Sequence, residues 1–166
     1  SEVLDLHPAN IYGRYKLEAE QRMLELCPDS VHLRASWMYD LPGYGLPIRG
    51  NLPLNLLRAA LKGEAVCFSR NDFRGVTYVR QVIENLEPVM DLPGGVYNFG
   101  SGNAEDMVCT ARQFAKALDI TVKITEESWE RNLVMDAAKL ERSGIRFAAT
   151  QQGIRCCLQD YGLSDL

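Results

Sequence analysis

The chain has 166 residues, 46% of them hydrophobic, with 18 basic against 22 acidic side chains and a net charge of −4. That is the length of one domain with enough apolar content for a core. The acidic balance argues against nucleic acid or an anionic membrane surface as main partner, no apolar run reaches a membrane span, and no signal peptide opens the chain.

The five cysteines, Cys27, Cys67, Cys109, Cys156 and Cys157, are odd in number and lack metal-site spacing. Adjacent Cys156 and Cys157 are poorly placed to bridge each other. All five read as reduced, mostly buried thiols of a cytoplasmic protein. The chain opens on Ser1 rather than Met, as expected of a processed chain or, the favoured reading, of a piece cut from a longer protein.

In chain order, residues 1–9 are polar and irregular, and Asn10 is a candidate N-cap for a helix over residues 10–26. Cys27-Pro28-Asp29-Ser30 stops that helix. Residues 31–39 alternate as one strand with Val31, Leu33, Ala35 and Trp37 on one face. Residues 40–51 carry three glycines and two prolines, a loop long enough to be a lid or binding loop. A helix over 52–62 with Leu54, Leu57 and Leu61 in its stripe ends at Gly63, and 65–68 is a short strand.

Residues 69–75 are polar, with Arg70, Asp72 and Arg74 close together. Beyond them the pattern predicts a helix over 78–90, a strand over 96–99, a tight turn at Gly100-Ser101-Gly102-Asn103, and a helix over 104–118. A strand over 121–124, an extended piece over 132–136, and helices over 137–143 and 151–161 complete the chain. Alternating strands and helices make this an α/β chain, with no repeat or clear linker.

Chemistry concentrates at the start of the first helix. Tyr12 and Lys16 are four residues apart and share a helical face. A Tyr hydroxyl titrates near ~10, and a cation beside it favours the phenolate, which suits proton exchange with a carbinol or carbonyl oxygen. The spacing alone says little: a Tyr-x-x-x-Lys arises by accident in roughly one chain in three of this size. The plain alternative is a Tyr that packs and a Lys that is solvated.

The surrounding run Tyr12-Gly13-Arg14-Tyr15-Lys16-Leu17-Glu18-Ala19-Glu20 resembles the catalytic helix of the extended short-chain dehydrogenase/reductases, above all the dTDP-4-dehydrorhamnose reductase branch and then the sugar-nucleotide epimerases. The likeness continues in order through Leu33-Arg34-Ala35-Ser36-Trp37-Met38-Tyr39, Phe73 to Arg80, Gly94 to Gly102, and Arg131 through Asp136 to Lys139-Leu140. Val76, Gln81 and Asn132 depart from the branch's usual residues, which bears on the substrate more than on the fold.

The resemblance implies the C-terminal part of an extended Rossmann-type reductase without its N-terminal dinucleotide-binding half. Residues 10–39 would be the remnant of the Rossmann core and 40–166 mostly a substrate-binding subdomain. It implies Tyr12 and Lys16 as catalytic, Tyr12, Lys16 and Arg34 at the cofactor, and Trp37, Thr77 and Arg131 at a nucleotide-sugar substrate. NAD(P)H would serve the intact protein, and none is expected on this chain alone, because neither the phosphate-cradling glycine loop nor the third catalytic Ser or Thr is in it.

Other readings stand beside these. Arg131 is either a diphosphate ligand or an exposed partner of Glu127 or Glu130. Trp37 stacks on a ligand or, more simply, packs in the core. Arg80 reads as a surface residue, and His7 and His32, without acidic or metal partners in sequence, receive no role. An epimerase or dehydratase, or a non-catalytic regulatory subunit of reductase-like fold, are the rival functions. Loss of the flanking strands would bare Ile11, Leu17, Met23, Leu24, Val31, Leu33 and Trp37, so self-association through residues 10–39 is expected, or else disorder of residues 1–39.

Overall fold

The computed structural model describes residues 2–43, 45, 47 and 49–163. The chain runs α1 (Ile11–Leu26), β1 (Val31–Ala35), β2 (Trp37–Tyr39), α2 (Leu52–Lys62), β3 (Ala65–Ser69), β4 (Asp72–Arg74), β5 (Val76–Tyr78), α3 (Val79–Glu84), α4 (Leu86–Val89) and β6 (Gly95–Phe99). It continues with α5 (Met107–Ala117), β7 (Lys123–Glu127), β8 (Arg131–Leu133), α6 (Ala138–Arg142) and α7 (Thr150–Asp160). The expected α/β class is what forms. Four parallel pairs, β1–β6, β2–β5, β3–β7 and β4–β8, account for the named strands. Parallel partners need crossovers, and the intervening helices supply them.

Helix starts follow side-chain capping. The Asn10 side chain accepts from Gly13 N at 2.8 Å, Asn51 from Leu54 N at 3.0 Å, and Asp106 from Cys109 N at 2.7 Å. Gly63, at φ +65°, closes α2 in the left-handed conformation that glycine adopts without steric cost.

Several sequence expectations need correction. Residues 31–39 are two strands, because the chain changes partner at Ser36, whose N–H still reaches Phe99 O, while Trp37 already lies beside Val76. Trp37 is therefore not a core residue: it is 49% exposed, whereas Tyr39 is buried. The helix expected over 78–90 is the pair α3 and α4, preceded by β5. The capping carboxylate of Asp106 delays α5 to Met107. The strand expected over 121–124 runs over Lys123–Glu127, and β4 and β8 form in stretches read as polar or merely extended. Cys27 and Cys67 are exposed rather than buried, and His7 does have an acidic neighbour, Asp5 at 3.1 Å. The loop read as a lid over 40–51 includes positions 44, 46 and 48, which lie outside the described residues.

Two apolar clusters carry the packing. The larger gathers Tyr39, Leu56, Val76, Met107, Phe114 and Ile154 between α2, α5, α7 and the β2–β5 pair. The smaller sets Tyr97 and Phe99 of β6 against Leu140 and Ile145. Fully burying side chains of this kind is worth roughly 1.5–3 kcal/mol each.

α1 belongs to neither cluster and has no buried residue. Gly13, Leu17, Glu20 and Leu24 are half-covered and recur at helical spacing, which marks the face nearest the rest of the fold. Ile11, Tyr15, Met23 and Leu26 lie on another side and are 58, 63, 49 and 83% exposed. The chain exposes 10545 Å², against about 8,200 Å² expected of a compact monomer of this mass.

A fork ties α1 to β1. Arg34 of β1 donates Nε to Glu20 Oε2 at 3.0 Å and Nη2 to Glu20 Oε1 at 2.7 Å. Bidentate pairs of this kind combine charge with fixed geometry. Arg34→Gln is expected to speed amide hydrogen exchange over residues 11–26 and leave residues 52–160 unchanged. Equal protection of α1 in both chains would mean that apolar contact alone suffices.

Candidate functional site

Two partner exchanges locate the site. Ser36 marks where the first strand line leaves β6 for β5, and Gly75 marks where the second leaves β8 for β2. They meet: a Cβ on Gly75 would lie 3.6 Å from Ser36 Cβ and only 1.9 Å from Ser101 O. Gly100, at φ +148°, is equally confined, with Ser36 Oγ 2.3 Å from the place of its Cβ. In open α/β sheets ligands bind beyond the carboxyl ends of the parallel strands, and both breaks fall at the carboxyl end of a strand, after Ala35 and after Arg74.

Tyr12 stands at this end. A short connection, residues 27–30, joins α1 to β1, and the Glu20–Arg34 fork shows the two lying antiparallel. Tyr12 is eight residues before Glu20, about 12 Å along a helix, a distance a strand covers in roughly four residues. That carries Tyr12 past Ala35 to the level of β2. Its ring is 70% exposed, and Lys16 Nζ lies 5.8 Å from the ring centroid. The two residues singled out by spacing are thus together and open.

The remaining candidates divide. Arg34 is engaged by Glu20 and, at 3.5 Å, by Glu2 O. Thr77 is fully buried, its hydroxyl meeting Ser36 Oγ and accepting from Ser101 N at 2.8 Å, so it ties Ser36 to Ser101. Trp37 presents its indole beneath Arg74, whose guanidinium carbon is 4.0 Å from the ring centroid. Arg131 pairs with neither Glu127 nor Glu130. Its Nε and Nη2 donate to Asp72 at 3.1 and 2.5 Å, because β4–β8 pairing sets Asp72 opposite Arg131.

Asp72 and Arg74 were not singled out as site residues. The sequence did hold a signal: in an extended segment, positions 72 and 74 fall on one side. Asp72 is 2% exposed and accepts from Arg74 as well, Nε and Nη2 both lying 3.2 Å from Oδ1. Burial pushes the Asp72 carboxyl up, but the Arg131 hydrogen bond and the charges of Arg74 and Arg131 outweigh it and hold it below the usual carboxylate range. Burial pulls the Arg74 guanidinium down, partly offset by Asp72. One carboxylate against two guanidiniums leaves a surplus positive charge facing solvent through Arg131, whose side chain is 43% exposed.

Arg70, close in sequence, turns to a separate surface network with Glu126 and Arg112. Arg80 is exposed and pairs with Glu84 and Asp160. A groove between α5 and α7 is lined by Gln113, Lys116, Ile154, Arg155 and Leu158 and contains none of the candidate residues. Among the described residues no group of three or more His, Cys, Asp or Glu is placed to hold a metal, and no helix is long and apolar enough to cross a membrane.

This α/β architecture is also the fold of part of several larger Rossmann-type structures. The chain is similar to dTDP-4-dehydrorhamnose reductase from Bacillus anthracis, solved with NADP, at TM-score 0.80 and 18% identity, covering 96% of this chain and 58% of that one. It is also similar to dTDP-glucose 4,6-dehydratase from the same organism, solved with NAD, at TM-score 0.74 and 20% identity, covering 98% and 55%. A third likeness is to UDP-N-acetylglucosamine 4-epimerase from Methanobrevibacter ruminantium, solved with UDP-N-acetylmuramic acid, at TM-score 0.72 and 18% identity, covering 100% and 57%. The chain therefore spans little more than half the length of these structures. No family model matches it, and neither does any curated protein.

Proposed function

We propose that the chain is the substrate-binding C-terminal portion of an NAD(P)-dependent sugar-nucleotide reductase. The observation that carries this reading is the exposed Tyr12–Lys16 pair on the helix that the Glu20–Arg34 fork ties to β1. A nicotinamide would supply hydride to the sugar carbonyl carbon. Tyr12 would give its phenolic proton to the developing alkoxide, and Lys16 would hold the nicotinamide ribose. The fit is to that end of the cofactor only. The glycine turn at Gly100 is packed against Ser36 and Thr77 and leaves no cradle for a pyrophosphate.

On the substrate side, Arg131 offers surplus charge to a diphosphate and Trp37 offers a ring face, while Thr77 acts indirectly by holding Ser36 and Ser101 together. Arg34 serves through α1, fixing the helix that carries Tyr12 and Lys16. The five free cysteines support a reducing, cytoplasmic setting. The bare stripe of α1, with Ile11, Tyr15, Met23 and Leu26 exposed, supports a homo-oligomer through residues 10–39.

The test uses the longer protein that carries this chain, supplied with a nucleotide 4-ketosugar and reduced cofactor. Net cofactor oxidation is expected. Turnover without net oxidation would favour the epimerase reading, which the similarity to a 4-epimerase also supports. Arg131→Ala is expected to raise KM for the sugar nucleotide with little change in kcat, as loss of a ground-state contact does. An unchanged KM would return Arg131 to a purely structural partner of Asp72.

A further inference from the structure

The substrate face is built on a single buried side chain. Asp72 is the only carboxylate paired with either Arg74 or Arg131 among the described residues, and it holds both at once. Its Oδ2 takes Arg131 Nη2, while Oδ1 is shared by Arg131 Nε and the Nε and Nη2 of Arg74. Arg74 has little freedom, its side chain being 4% exposed. Its backbone is pinned too, since Arg74 O accepts from Asn103 Nδ2 at 2.9 Å. Held so, its guanidinium covers part of the Trp37 ring, and the indole keeps half its surface in solvent. A cation against an aromatic face favours parallel contact and limits tilting of the ring.

The geometry points to Asp72 as a positioning residue that sets two ligand-facing groups together: the free edge of Arg131, for a diphosphate, and the open part of the Trp37 ring, for the sugar or base joined to it. This rests on the sugar-nucleotide reading above. Arg74 is the link between the two and never touches the ligand. The arrangement needs all four residues: three strand lines, β2, β4 and β8, each contribute a group, and Asp72 is where they converge. A nucleoside diphosphate therefore meets a stacking surface and a cationic arm both held through Asp72 and Arg74, which reduces the ordering cost of binding.

The experiment uses this chain with Trp129→Phe, so that Trp37 is the sole indole, and reads both its emission and the affinity for UDP by titration calorimetry. In the ligand-free chain, Arg74→Met and Asp72→Asn are expected to shift Trp37 emission in the same direction, and Arg131→Met to leave it unchanged. For UDP, Asp72→Asn and Arg74→Met are each expected to weaken binding at least about tenfold, although neither removes Arg131. Wild-type emission and affinity in Asp72→Asn would overturn the positioning role. If Asp72→Asn does not fold, Arg74→Met decides: unchanged UDP affinity overturns the proposal, and weakened affinity with shifted emission supports it. If the wild-type chain binds no UDP, the sugar-nucleotide reading fails on its own, while the emission comparison still tests whether Asp72 positions Arg74 on Trp37.

Discussion

Asp72→Ala is expected to cost about 3–5 kcal/mol of stability, the range for breaking a buried ion pair by removing one partner. The loss falls on Arg74, whose buried guanidinium keeps its charge and loses its acid. Arg131, already 43% exposed, can turn into water at little cost. Urea unfolding reads the effect as a lower midpoint at unchanged slope. A change within ~0.5 kcal/mol, the range of ordinary surface substitutions, would mean that the cluster opens to water in solution.

The same pair sets an acid limit. The folded pKa of Asp72 lies below its ordinary value of 3.8, so its contribution is complete above that value and is lost as pH falls through the folded pKa. In Asp72→Asn that part of the acid sensitivity disappears. Glu126, also held low by Arg70, is a surface group whose share salt screens, so the acid transition of the wild-type chain retains a salt-insensitive part owed to Asp72.

Tyr12→Phe, made in the longer protein, is expected to lower kcat by roughly two to four orders of magnitude, the usual worth of general acid catalysis. Cofactor affinity should change little, because the ring remains and only the hydroxyl is lost. Steady-state turnover with calorimetric cofactor binding separates the two quantities. Unchanged turnover would make the exposed phenol incidental and favour a non-catalytic role for the protein.

How these groups come together was only partly legible in the sequence. α1 was readable because its signals are local: Asn10 caps it, Cys27-Pro28 ends it, and the Tyr12–Lys16 spacing fixes their shared face. Cys67 was readable in principle, since alternation over Ala65–Ser69 sends Val66 and Phe68 inward and Cys67 out. The break at Ser36 was not, because Val31, Leu33, Ala35 and Trp37 keep alternating while the partner strand changes. Only the distant residues Phe99 and Val76 reveal the exchange. The Asp72–Arg131 pair was hidden for the same reason. Local charge favoured Glu127 or Glu130, and the outcome was decided by the parallel pairing of β4 with β8.

That dependence on distant partners has a kinetic side. Val31 pairs with Gly95, Trp37 with Val76, Ala65 with Lys123, and Asp72 with Arg131, so among the described residues no named strand is joined to its partner by a hairpin. Each pairing must close a long loop before any ladder bond compensates it, which places the chain among slow folders, on the order of milliseconds to seconds. During synthesis β1 leaves the ribosome well before β6, and its apolar edge waits, at roughly 5–20 residues per second, for several seconds. The strand to which the Glu20–Arg34 fork ties the Tyr12–Lys16 helix is therefore the one that waits longest for its partner.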